Sequence, residues 1–181
     1  MNKPTHVLGG IALSLGCGVS INLPEQSLIS LGCLVAASTF GAILPDIDKK
    51  NTTISNKHPV ISFVVRLVTT HRGITHTLLA LLILAGLLYY PVQVLSIVLV
   101  IWSYYGLITG YMSHLILDML NPEGIPLFFP VKVKISILKI KTGGIGEYII
   151  RLILFISVIW LFYMSLTKAG IMKPIPLFGI K

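Results

Sequence analysis

The chain alternates between long apolar stretches and shorter polar connections. An α-helix needs about 20 mostly apolar residues to cross a bilayer, with a range near 17–25. Five stretches approach that length, although the shorter ones could be tilted or only partly inserted. The pattern therefore predicts an all-α integral membrane protein, a helical bundle of four to five transmembrane helices in which residues 1–181 form a single membrane-embedded domain. The five stretches are residues 7–23, 28–44, 77–92, 94–120 and 149–166.

Two of the longer connections carry hydrophobic patterns of their own. Residues 58–70 (HPVISFVVRLVTT) are apolar with a single arginine, which predicts a short helix lying in the membrane interface. Residues 131–141 (VKVKISILKIK) alternate between lysine and aliphatic positions at their start. That alternation predicts an amphipathic strand or hairpin, and a solvated charged loop is the alternative.

Composition supports the membrane assignment, because 55% of the residues are hydrophobic and only 11% are charged. Soluble domains carry roughly 25% charged residues. The net charge is +8, and most of the basic residues fall in connections 46–75 and 121–148. By the positive-inside rule, these long loops and the N-terminus are cytoplasmic in a multi-pass protein.

The same charge distribution predicts the partners of the protein. Basic segments beside a membrane favour anionic lipid headgroups, at about 1 kcal/mol per basic residue. No nucleic-acid partner is expected, because aromatic and basic residues are not interleaved on a soluble unit. The sequence carries no signal for an oligomeric state.

Histidine and aspartate residues gather at one end of the predicted bundle. None of them falls in the middle of a predicted span, and seven lie near the cytoplasmic ends of four different spans. His114 and Asp118 are four residues apart, so a helix places them on one face. The sequence therefore predicts one polar cluster, made of His6, Asp46, Asp48, His71, His76, His114 and Asp118.

The composition of this cluster indicates a bound metal. Aspartates at helix C-termini are disfavoured by the helix dipole, by about 0.3–1 kcal/mol, and three clustered carboxylates repel one another. Imidazole and carboxylate together suit zinc, manganese or iron, whereas magnesium and calcium prefer oxygen ligands. We expect a divalent transition metal, zinc in the first place, as one ion or as two ions about 3.5–4 Å apart. The expected ligands are His6, Asp48, His71, His76, His114 and Asp118.

Asp46 and Arg72 are the expected catalytic residues. Arg72 lies beside the predicted ligands, and its guanidinium can bind a phosphate bidentately, with an interfacial anchor as the alternative. Asp46 could also serve a second metal or hold another ligand in place. A purely structural role, as a helix cap or a headgroup contact, is the alternative for each residue of the cluster. Gly106 and Gly110 form a GxxxG step ahead of His114, which predicts close approach by a neighbouring helix.

Several motifs in a fixed order resemble a known family. An early Thr-His, LPDID, HRGITH, SHLILDMLNPEGIPLFFP and TGGIGE occur in that order between Thr5 and Glu147. Together they resemble the YdjM-like inner-membrane proteins, which are held to be metal-dependent hydrolases. The resemblance implies location in a bacterial-type inner (cell) membrane and a cytoplasmic-face metal site formed by the seven clustered residues, with Glu147 as a weaker addition.

The order of histidines and aspartates is also similar to the first part of the zinc-dependent phospholipase C pattern. The later histidines of that pattern are missing, because no histidine follows His114. This departure implies one or two metals rather than three.

These observations predict a membrane-bound metal-dependent hydrolase that cleaves a phosphoester or acyl ester of a membrane lipid. The metal would lower the pKa of bound water from about 15.7 towards about 7. A non-catalytic, metal-stabilised scaffold or regulatory protein is the main alternative. An ion transporter is less favoured, because transporters place ionisable groups near the bilayer midplane.

Overall fold

The structure is a computed structural model that describes residues 1–21, 23, 26–68, 73–131 and 133–174. These residues form seven α-helices and two short 3₁₀ turns, and they contain no β-strand. The helices are α1 (Lys3–Ser20), α2 (Leu28–Gly41), α3 (Thr53–Lys57), α4 (Pro59–Val68), α5 (Leu78–Leu95), α6 (Val98–Met119) and α7 (Ile145–Lys168). The 3₁₀ turns span Leu44–Asp48 and Ile74–His76.

Three helical segments in the described part of the chain are long and apolar enough to cross a membrane: Leu28–Asp48, Leu78–Leu95 and Ile145–Lys168. Helices α5 and α7 expose many large hydrophobic side chains, as lipid contact requires. The all-helical, membrane-type architecture is confirmed, whereas the predicted count of four to five spans is not. The other two predicted spans form helices α1 and α6, whose apolar residues are interrupted by polar and small ones, among them the histidines of the predicted cluster.

Helix α6 lies at the centre of the bundle and crosses α2 at very short range. A Cβ atom added at Gly106 would lie 2.3 Å from the carbonyl oxygen of Leu34, and one added at Gly110 would lie 2.3 Å from that of Ser38. Only glycine permits backbones to approach so closely. The predicted close approach at Gly106 and Gly110 is therefore confirmed, and α2 is the neighbouring helix.

The predicted strand or hairpin at residues 131–141 is wrong for the described residues of that segment. They make one isolated antiparallel bridge, between Ile125 and Ile135. The backbone N–H groups of Ile137 and Ile140 instead donate to carbonyl oxygens at the end of α6, each at 2.7 Å. The last carbonyls of a helix lack intrahelical partners, so this segment caps α6 instead of pairing with a strand.

The helix predicted within residues 58–70 is present as α4. Phe63 and Leu67 are among the large apolar side chains that it exposes. The hydroxyl of Ser62 is buried and donates to the carbonyl oxygen of Ile47 at 2.7 Å. This hydrogen bond attaches α4 to the 3₁₀ turn that carries two aspartates.

The predicted boundary between the third and fourth spans lies too early in the chain. Helix α5 continues through Pro91 to Leu95, and the chain then turns at Ser96, whose φ is 47°. A proline removes one helical hydrogen bond. The neighbouring backbone groups still gain more from helical pairing than from exposure in an apolar environment, so the helix continues.

Candidate metal centre

The structure brings six of the seven predicted cluster residues together at one end of the bundle. The start of α1, the turn after α2, the turn before α5 and the end of α6 each deliver at least one side chain. The predicted ligand His71 and the predicted catalytic residue Arg72 lie outside the described residues. Five of the six are no more than 2% exposed, and only Asp46 is partly exposed. The six are His6, Asp46, Asp48, His76, His114 and Asp118.

Helix α6 delivers His114 with one ring nitrogen already engaged. Its Nδ1 lies 2.7 Å from the carbonyl oxygen of Ala42. A carbonyl oxygen can only accept, so Nδ1 carries the proton of the neutral ring, and the tautomer is assigned from this partner. Nε2 is then unprotonated, and its lone pair faces the cluster. Metal-binding histidines typically make such a hydrogen bond through the other ring nitrogen.

The tautomer of His76 follows from the same reasoning. The hydroxyl of Thr75 donates its hydrogen to Asp48 Oδ2 at 2.5 Å, so the Thr75 oxygen can only accept from His76 Nδ1, which lies 3.1 Å away. Asp48 Oδ2 lies 3.3 Å from the same Nδ1. Two acceptors therefore place the proton on Nδ1 and leave Nε2 unprotonated, as in carboxylate–histidine–metal arrangements.

Three electron-rich atoms consequently meet at the centre of the cluster. The Nε2 atoms of His76 and His114 lie 3.2 Å apart, and Asp118 Oδ2 lies 3.7 Å from each. Two lone pairs facing each other beside a carboxylate repel one another. A proton on one imidazole or a metal ion relieves this repulsion, and the donor set is one that transition metals prefer.

The second oxygen of Asp118 receives its own contacts. Asn121 donates through Nδ2 to Oδ1 at 2.9 Å, and the α-amino nitrogen of Met1 lies at the same distance. His6 Nε2 lies 3.3 Å from Oδ1. These contacts fix the carboxylate so that its other oxygen points towards His76 and His114.

His6 lies against the opposite side of the cluster. Its ring stacks on that of His114, with centroids 3.9 Å apart and planes inclined by 15°. Its Nδ1 is buried and has no hydrogen-bond partner among the described residues. Leaving a buried polar atom unpaired costs about 1–3 kcal/mol. One ligand atom each from His6, His114 and Asp118 lie within 4.8 Å of one another, so this group can hold a metal.

Asp46 forms a second such group on the other side of His114. One ligand atom each from Asp46, His76 and His114 lie within 4.8 Å of one another. Asp46 also lines a cavity of about 240 Å³ next to the cluster. It is thus the member of the cluster that connects the buried histidines with a space large enough for a small molecule.

Glu147, which the resemblance adds to the metal site, has a clear structural contact set in the fold. It belongs to neither group of ligand atoms. Its buried carboxylate accepts hydrogen bonds from the backbone of Asn2 at 2.6 Å, the hydroxyl of Thr5 at 2.7 Å and the backbone of Gly143 at 2.6 Å. Glu147 therefore fixes the start of α1 against α7, and so positions His6.

Sequence reasoning missed the neutral partners of the cluster. Thr75, Asn121 and the carbonyl group of Ala42 fix the orientation of His76, Asp118 and His114, respectively. Thr75 directly precedes His76, and Asn121 follows Asp118 by three residues, so both lie within the motifs that supplied the predicted ligands. That adjacency was a usable signal, whereas nothing in the sequence marks the Ala42 carbonyl.

Known proteins match the chain over most of its length. YvsG of Bacillus subtilis is 32% identical over 167 residues, which cover 91% of this chain and 96% of YvsG. The inner membrane protein YdjM of Escherichia coli is 31% identical over 159 residues, which cover 84% of this chain and 81% of YdjM. No solved structure matches the chain. Residues 1–172 match the family described as YdjM inner membrane protein, and the chain belongs to that family.

Proposed function

We propose that this protein is a membrane-bound, metal-dependent hydrolase in which His76, His114 and Asp118 hold a divalent ion. The observation that supports this proposal is the meeting of the Nε2 atoms of His76 and His114, whose Nδ1 atoms face hydrogen-bond acceptors, with one carboxylate oxygen of Asp118, at separations of 3.2 to 3.7 Å. A tetrahedral zinc ion with bonds of about 2.0–2.1 Å separates its ligand atoms by about 3.3–3.4 Å. Zinc is the metal that we favour, with manganese or iron as alternatives.

The geometry favours one ion over two. His114 uses Nδ1 on the carbonyl of Ala42, so it has one nitrogen left for a metal. His6 and Asp46 lie on opposite sides of His114, and either of them could supply the fourth ligand of the metal. Catalytic zinc sites have three protein ligands and one open position, whereas structural sites are closed by four. An open position at Asp46 would face the cavity.

In this proposal Asp48 orients His76 instead of ligating the metal. Its Oδ2 accepts from His76 Nδ1 and from the Thr75 hydroxyl, which fully uses that oxygen. This role differs from the ligand role expected from sequence. The predicted roles of His71 and Arg72 stay predictions.

The bound metal would supply a hydroxide at neutral pH, because it lowers the pKa of its water to about 7. Asp46 would accept the proton that this water loses. In the hydrolysis, the water oxygen joins the phosphorus or the acyl carbon, the ester bond to the alcohol breaks, and the proton passes to the departing alcohol. The helix-end position of the site matches the depth of lipid headgroups, so a phosphoester or an acyl ester of a membrane lipid is the proposed substrate class.

The proposed membrane arrangement places α1, α2, α5, α6 and α7 across the inner membrane, with the N-terminus and both long loops in the cytoplasm. The concentration of lysine and arginine in those loops supports this orientation. The same residues would attract anionic lipid headgroups. The exposed apolar residues of α4 would lie in the headgroup region.

A lipid-turnover assay tests the proposed function. Purified protein in lipid nanodiscs is given phospholipids and lipid-linked phosphates, and released phosphate and fatty acid are measured. We expect turnover that a chelator abolishes and zinc restores, and that Asp118→Asn lowers at least 100-fold. Glu123→Gln changes an exposed carboxylate outside the cluster and serves as the matched control. Turnover that persists without metal would contradict the proposal, and full metal content without any turnover would favour the scaffold role.

A further inference from the structure

The cavity next to Asp46 has walls of a distinct chemical character. It lies between the start of α1 and residues 49–54, which follow the Leu44–Asp48 turn, and its volume is about 240 Å³. A water molecule occupies about 30 Å³ in the liquid, so the cavity can hold a group several times that size. Its lining is mostly polar and includes Lys3, Lys49, Asn51 and Thr53.

Two lysines, Lys3 and Lys49, belong to the lining of this cavity. Lys3, on α1, donates from Nζ to the Thr53 hydroxyl at 3.0 Å, which holds its side chain across the cavity. Lys49 begins the loop on the other wall and forms no ion pair with any of the described residues. Met1 also lines the cavity, but its α-amino group is paired with Asp118, so the two lysine side chains stand against the single carboxylate of Asp46 in the lining.

We infer that this cavity binds the phosphate group of the substrate, so that the bond cleaved is a phosphoester and not an acyl ester. The inference rests on the proposed function, because it identifies the substrate class of the same site. Lysine ammonium groups form strong charge-assisted hydrogen bonds with phosphate oxygens. A phosphate held beside Asp46 would bring the phosphoester, and not a more distant acyl ester of the same lipid, to the proposed metal position. Asparagine and threonine side chains can donate further hydrogen bonds to the same oxygens.

The position of Asp46 connects the cavity with the metal ligands. Its carboxylate lies within 4.8 Å of ligand nitrogens of His76 and His114, and the same residue lines the cavity. A phosphate held by Lys3 and Lys49 would therefore lie beside the atoms that bind the metal. The phosphate recognition expected of Arg72 stays a separate prediction.

Binding measurements on the full-length, zinc-loaded protein test this inference. The probes are glycerol 3-phosphate, short-chain phosphatidic acid and short-chain diacylglycerol, which separate a free phosphoester, a lipid phosphate and a neutral acyl ester. We expect both phosphates or the lipid phosphate alone to bind, and the diacylglycerol to bind far more weakly. Binding of glycerol 3-phosphate would indicate that a soluble phosphoester can be the ligand, whereas binding of phosphatidic acid alone would indicate a lipid headgroup.

Charge variants supply the decisive comparison. The double variant Lys3→Gln/Lys49→Gln should raise the phosphate Kd at least tenfold, and the double arginine variant should recover most of the affinity. Lys50→Gln, which removes a neighbouring exposed lysine outside the cavity lining, should leave Kd unchanged. Zinc content should be the same in all of these proteins, since none of the three lysines belongs to the ligand cluster.

Three results would overturn the inference. Unchanged phosphate affinity in the double glutamine variant, with unchanged zinc content, would overturn it alone and leave the hydrolase proposal standing. Preferential binding of the neutral diacylglycerol would do the same and would favour an acyl ester. A wild-type protein that holds no metal would overturn the proposed function and this inference together.

Discussion

His76 and His114 each commit Nδ1 to a hydrogen bond inside the protein, and both consequently direct Nε2 towards Asp118. The partners of the two Nδ1 atoms are a buried carboxylate, that of Asp48, and the backbone carbonyl of Ala42, which is also buried. Buried ligands with orientations fixed in this way are typical of metal sites.

The role of Asp48 gives a prediction at this scale. Asp48→Asn keeps the size of the side chain but replaces a charged acceptor with a neutral one, so His76 is held less firmly and is a weaker donor to a metal. Changes of this kind typically lower metal affinity about 10–100-fold. Competition with a chromophoric chelator measures the effect, and Glu123→Gln is the control. Affinity equal to that of the wild type would show that Asp48 does not orient His76.

Among the helices, the crossing of α2 and α6 determines where His114 lies. Gly110→Ala adds a Cβ that would lie 2.3 Å from the carbonyl oxygen of Ser38, so the helices must separate. We expect a loss of about 1–3 kcal/mol of stability, as for other overpacked sites, together with weaker metal binding. Thermal unfolding in detergent measures the first effect. Gly32→Ala, where nothing lies within 4 Å of the added Cβ, should be neutral or stabilising. Equal stability of the two variants would contradict this account of the crossing.

Helix α4 gives a second prediction at the scale of elements. If its apolar side lies in the headgroup region, a nitroxide attached to Leu67→Cys, with Cys17 and Cys33 replaced by serine, should be more accessible to oxygen than to a water-soluble nickel complex. Asn56→Cys lies on α3, is exposed and should show the opposite preference. Electron paramagnetic resonance in nanodiscs makes the comparison. Nickel accessibility as high at Leu67→Cys as at Asn56→Cys would place α4 in water.

At the scale of the whole molecule, the sequence predicted the helices and the cluster better than the connections. Apolar length and the spacing of His114 and Asp118 are local properties, so they can be recognised without a structure. Ile137 and Ile140 cap α6 because carbonyl groups at the end of that helix lack partners, and this cannot be recognised from the local sequence pattern. The Ala42 carbonyl that fixes His114 is invisible in sequence for the same reason, since every residue has a carbonyl group.

The fold joins distant parts of the chain around one polar site. Glu147 at the start of α7 holds Thr5 on α1, and the next residue of that helix, His6, stacks on His114 of α6. The turns after α2 and before α5 add Asp48 and His76. Because each part contributes through buried contacts, the packing of the entire bundle positions the histidine and aspartate side chains of the cluster.

The most direct test of this account is the transition-metal content of the purified protein, measured by mass spectrometry for the wild type and for His114→Asn. The account predicts close to one metal ion per wild-type chain and less than a tenth of that in His114→Asn. The control His58→Asn, which changes an exposed histidine away from the cluster, should keep the wild-type content. Gel filtration and thermal unfolding establish that each variant is folded. A folded wild type without stoichiometric metal, or a folded His114→Asn variant with full metal content, would contradict the central claim.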